Sequence, residues 1–198
     1  MKRLLLSLAI VVCFISCGSD DESERKKPIE VNIQYLSSLY DLSYSKFKAS
    51  NIGTIKEESE VYSDIENPVK GTAIITDIYI EGYKMIAHYY IFDNKTVEIG
   101  LSTSFHSNAE GVECYKKITK SAYNYWGNPS IQTLIKGEAY PKEIKSTYDN
   151  YWNKDFQIES VQTVNMNFKD YPLIYCSYNA RVNEYPSIVD VTIGGLGE

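Results

Sequence analysis

The stretch from Val69 to Phe105 constrains the fold most, because it alternates where a helix would not. Thr96 to Phe105 sets Val97, Ile99, Leu101, Thr103 and Phe105 on one face, and Thr96, Glu98, Gly100 and Ser102 on the other. A two-residue period with one apolar side belongs to a strand that buries one face and wets the other. Val69 to Ile80, rich in Ile, Thr and Val, reads as a strand, and so does Tyr83 to Phe92. Glu81-Gly82 and Asp93-Asn94-Lys95 are the turns between them. Three strands on short turns predict an antiparallel meander.

The period then changes. Ser107 stands three residues before Glu110, the spacing of a capping box. Val112, Tyr115, Ile118, Ala122 and Tyr125 recur at three- and four-residue intervals, and Gly127-Asn128-Pro129 ends the run. This predicts a helix, with Cys114 near its apolar stripe and turned toward the sheet. Upstream, Ser43 caps a short helix to about Ser50. Ile29 to Tyr40 fits no single period, and Thr54 to Val61 is a charged strand or loop. Downstream, Ile131–Ile135, Phe156–Phe168, Leu173–Val182 and Ser187–Ile193 read as strands. Gly137 to Asn150, around Pro141, is a polar insertion. The expected class is α+β: antiparallel meanders with helices packed on one face, arranged as two helix-then-meander units. The layout resembles small exported α/β domains of the β-lactamase-inhibitor-protein and outer-membrane lipoprotein kind.

The first residues address the chain. Lys2 and Arg3 precede an apolar run from Leu4 to Ile15. Twelve residues are too few for a membrane span, which needs about 20, so the order reads as a signal peptide. Phe14-Ile15-Ser16-Cys17 resembles a relaxed lipobox. Ser19, Asp20, Asp21 and Glu22 resemble the acidic signal that carries such proteins across the outer membrane. The N-terminus is thus similar to that of Bacteroidota-type surface lipoproteins. The resemblance implies that residues 1–16 are removed, that Cys17 carries the lipid, and that the body faces outward. The alternative is a solvated acidic linker on a periplasm-facing lipoprotein that assists envelope assembly. Residues 17–28 are a polar tether, and residues 29–198 form one domain.

Without the signal peptide, 18 basic residues face 26 acidic ones, a net charge of −8. An acidic body without a basic stripe disfavours nucleic acid as a partner. Of four cysteines, Cys114 and Cys176 remain after the leader and the lipid site are set aside. An oxidising compartment permits a disulfide between them, and two separate buried thiols are the other reading.

Chemistry-bearing motifs are sparse. His88 and His106 have no partner at a metal-ligand spacing, so no metal or other cofactor is expected. Ser104-Phe105-His106 is sequence adjacency, and Glu57, Glu58 and Glu60 read as a solvated face. Without a catalytic constellation, the chain reads as a non-catalytic module for a protein or glycan partner; a hydrolase built from scattered carboxylates ranks last. Its candidate contacts are two aromatic clusters: Tyr123, Tyr125 and Trp126 at the helix end, and Tyr148, Tyr151 and Trp152 after the insertion. Exposed, they would anchor a partner or stack on a sugar; otherwise they close the core.

Overall fold

The computed structural model describes residues 29–63, 68–170, 172–180 and 185–195. The expected signal peptide, the expected lipid site Cys17, the run Ser19 to Glu22 and the expected tether lie outside the described residues. The first part of the chain holds β1 (Ile29–Glu30), α1 (Ile33–Ser38), α2 (Tyr44–Ala49), β2 (Ile55–Tyr62), β3 (Lys70–Ile80), β4 (Tyr83–Phe92) and β5 (Lys95–Phe105). The second holds α3 (Asn108–Trp126), β6 (Ser130–Ile135), β7 (Lys142–Ile144), α4 (Tyr148–Asn150), a π-helical turn (Tyr151–Asp155), β8 (Val161–Asp170), β9 (Leu173–Asn179) and β10 (Ser187–Gly194).

All ten strands join one open sheet, ordered β1-β3-β4-β5-β10-β9-β8-β6-β7, with β2 also on β3. Pairing is antiparallel throughout except for the short β1–β3 contact. The class is α+β, as the alternation predicts. The strand order also exposes the two units. Outward from a central β5–β10 seam the sheet runs β5, β4, β3, β2 on one side and β10, β9, β8, β6 on the other. Each unit begins with helix and continues as a meander.

Turn chemistry sets the register of the first meander. Glu81-Gly82 and Asp93-Asn94 all take positive φ, the two-residue geometry that matches strand twist. The expected faces of β5 hold for Ile99 and Leu101, which are buried, but not for Thr96. The register slips between Tyr90 and Ile91 of β4, and this bulge leaves Thr96 buried, its N–H bonded to the Leu42 carbonyl at 2.9 Å.

The helices share one core with the sheet. Ile33 and Leu36 of α1, Phe47 of α2 and Cys114, Tyr115 and Ile118 of α3 meet Ile78, Tyr89, Leu101, Val191 and Cys176. Each fully buried aliphatic side chain contributes about 1.5–3 kcal/mol. Gly111 marks the closest approach of α3: a Cβ there would lie 2.6 Å from Ser187 Oγ and 3.0 Å from the Tyr178 ring. The ambiguous segment after Ile29 resolves into β1 and α1, and the charged segment into β2. The other face of the sheet carries Lys84, Ile86, His88, Glu98 and Asp190, exposed or half-buried.

Candidate functional site

One difference between the two units lies between their first two strands. The first passes from β2 to β3 through residues 63–69, whereas the second inserts residues 136–160 between β6 and β8. Lys136 N–H bonds the Ser160 carbonyl at 2.7 Å and closes the base of this insertion. Inside it, the Thr147 hydroxyl accepts from Asn150 N–H at 3.4 Å and starts α4. The Asn128 side-chain oxygen accepts from Tyr148 N–H at 3.1 Å, tying α4 to the end of α3. The chain then widens into a π-helical turn, with Phe156 N–H on the Tyr151 carbonyl at 2.9 Å. Such turns recur at functional sites.

Tyr148, Tyr151 and Trp152 stand three and four residues apart, so one turn of helix points all three the same way. That way is inward, and the expected binding cluster becomes core. Tyr148 and Tyr151 are 2 % and 1 % exposed, and Trp152 is 9 % exposed. The Tyr148 hydroxyl donates to the Lys116 carbonyl at 3.1 Å, and the Tyr151 hydroxyl lies 3.0 Å from Thr133 Oγ1. Burial pushes both phenols up to about 12. The Trp152 ring packs edge-on against Tyr115 and Tyr151 and tilts against Phe156. Its buried indole N–H makes no hydrogen bond among the described residues.

The helix-end cluster fares differently. Tyr123 stacks on Tyr148 with centroids 4.6 Å apart, and is half-buried. Trp126 also packs on the core edge, while Tyr125, edge-on to it, is 60 % exposed. The six aromatics therefore do not form one exposed patch. Sequence periodicity found the α3 stripe as far as Ala122, but not that Tyr125 turns away from the core or that the insertion folds onto the helix.

What the insertion builds against α3 is a cleft of about 390 Å³. Glu113, Lys116, Lys117 and Lys120 of α3 line one side, and Tyr148, Asp149, Trp152 and Asn153 line the other. Its size is that of small-molecule sites. Lys116 Nζ lies 5.5 Å above the Trp152 ring; Lys120 Nζ lies 4.5 Å from the Tyr123 ring and 5.3 Å from the Tyr148 ring. Lys117 pairs with Glu113 at 3.2 Å and Lys120 with Asp149 at 3.3 Å. Hydrogen bonding to Glu113, then to Tyr83, raises the Lys117 pKa and keeps it charged. Lys116 has no salt bridge among the described residues. In the sequence these lysines are legible only as a spacing, three cations within five residues of one helix. A second, larger hollow beyond the same insertion, lined by Asn128, Ser130, Glu143, Thr147 and Asn150, has no aromatic floor.

Cys114 and Cys176 are both buried and free, so the disulfide is not formed. Burial lifts the Cys114 thiol to about 12 and Cys176 further still, which leaves both protonated and unreactive at neutral pH. His88 sits half-buried on the helix-free face, where burial lowers its pKa against the pull of Glu57. His106 is exposed beside the Ser107 cap. Among the described residues no three His, Cys, Asp or Glu side chains group to hold a metal.

In comparison with known proteins, no family model and no curated protein matches the chain.

Proposed function

We propose that the chain is a lipid-tethered, non-catalytic binding module of the cell surface, and that the α3–insertion cleft is its contact site. The observation that carries this is the asymmetry between the units. The second unit alone has the inserted wall, and the wall makes a lysine-rimmed hollow over aromatic rings. Packing alone would be served by Tyr148, Tyr151 and Trp152, and does not call for three cations at their edge. Burial keeps the Tyr148 and Tyr151 phenols and the Cys114 and Cys176 thiols protonated at neutral pH, so none of the four is primed as a nucleophile. The anchor rests on the lipobox at Cys17, since the several acyl chains of a lipoprotein hold where one chain does not.

The tether and address are tested on cells. Labelled palmitate should enter the native chain and be lost from Cys17→Ala. Protease added to intact cells should cleave the native protein and spare a variant with Asp20, Asp21 and Glu22 changed to Ala. Protection of both forms until the outer membrane is opened would reverse the reading, and a periplasm-facing role in envelope assembly would replace it.

A further inference from the structure

The cleft's chemistry narrows its ligand. It offers donors and acceptors together: three ammonium groups, the Asn153 amide, and the carboxylates of Glu113 and Asp149. Three ammonium groups against two carboxylates leave one net positive charge, which matches a single monoanionic carboxylate better than a dianionic phosphate or a densely anionic lipid surface. A ligand with many hydroxyls uses both signs, since each hydroxyl donates and accepts. Two of the lysines already have carboxylate partners, and Lys116 does not, so there is room for one incoming carboxylate. Beneath Lys116 lies the face of an indole, the surface on which the C–H side of a sugar ring packs.

We propose that the cleft binds a carboxylate-bearing sugar, with Lys116 taking the carboxylate and the Trp152 ring receiving the apolar face of the pyranose. This rests on the reading of the cleft as the contact site. In the free protein the Lys116 ammonium stands over the indole, whose other neighbours are Tyr115, Tyr148, Tyr151 and Phe156. A cation over a ring is held weakly at an exposed site, whereas a charge-assisted hydrogen bond to a carboxylate is stronger. The arriving carboxylate therefore draws the ammonium aside and bares the ring for the sugar. One event supplies both contacts, and a neutral sugar cannot trigger it.

The chain has two tryptophans, so Trp126→Phe leaves Trp152 as the sole indole reporter. The full chain carrying that change is titrated with short oligomers of galacturonic, glucuronic and mannuronic acid. Parallel titrations use the matching neutral oligomers, a Glu-rich peptide and phosphatidylglycerol vesicles. The expected result is a saturable change in Trp152 emission with at least one uronate, and binding about tenfold or more weaker for its neutral counterpart. Lys116→Met, which keeps the aliphatic stem over the ring, should weaken uronate binding by about tenfold, and Lys142→Met should not. Equal binding of neutral and acidic oligomers, or indifference to Lys116→Met, overturns the proposal. A response to the peptide or the vesicles without a uronate response also overturns it, and leaves the cleft standing as a contact site for another partner. No response to any probe overturns the sugar assignment; whether the cleft is a contact site at all is then read from lysine protection on cells, which needs no knowledge of the ligand.

Discussion

Asp190 lies on the helix-free face of β10, in register with Ser102 of β5 and Ser177 of β9. Burial raises its pKa, and hydrogen bonds from those two hydroxyls only partly offset the shift. A carboxyl whose folded pKa lies above its unfolded value holds its proton longer in the folded state. Its contribution to stability is full below the ordinary value of about 3.9 and is lost as pH rises through the folded pKa. Asp190→Asn removes that loss. The variant should gain on the native chain between pH 4 and pH 8, read as a widening difference in urea midpoint. A constant offset across that range would show that Asp190 does not titrate in this way. Ser102, Asp190 and Ser177 were not legible as a group, because the register of β5, β10 and β9 brings Ser102 beside a residue nearly ninety positions away. Tyr148, Tyr151 and Trp152 illustrate the converse. Their spacing was plain in the sequence, but its meaning depended on whether the segment was helical.

Long elements with complete local signals were readable. The hydroxyl of Ser107 accepts from Glu110 N–H, and Gly127 ends α3 with φ of 85°, as the capping pattern predicts. The Glu81-Gly82 and Asp93-Asn94 hairpins likewise follow from their turn residues. Short elements were readable in part: α2 stands where expected, though the Ser43 hydroxyl makes no cap bond, whereas β1, β7, α4 and the π-helical turn are held by tertiary contacts rather than by propensity. Phe156 to Ser160, expected as strand, belongs to the insertion, and β8 begins at Val161. One test at this scale concerns helix-to-sheet distance. In an isolated helix, Gly111→Ala stabilises by about 1 kcal/mol. Here the added methyl meets Ser187 and Tyr178, and overpacking costs about 1–3 kcal/mol. Gly111→Ala should therefore lower the urea midpoint. A rise would mean that α3 sits further from β9 and β10 than the structure places it.

The whole molecule is two meanders fused along β5–β10, and eight residue pairs span that seam from Ser187–Phe105 to Gly194–Glu98. Helix α3 reinforces it by packing on strands of both units. The units should then unfold together. Both tryptophans lie in the second unit, whereas far-ultraviolet dichroism reports on both. The two probes should give one coincident transition in urea; separate midpoints would mean that the seam does not couple the units. Within this continuous sheet the insertion between β6 and β8 has no counterpart between β2 and β3, and it is where the contact site is proposed. The most direct test is lysine labelling, by acetylation and mass spectrometry, of the native protein on its own cells and of the purified chain. Lys116, Lys117 and Lys120 should be protected on cells and labelled when purified, while Lys56, Lys70 and Lys142 should be labelled equally in both. Equal labelling of the three cleft lysines in both settings, or protection confined to other lysines, would contradict the placing of the contact site in this cleft.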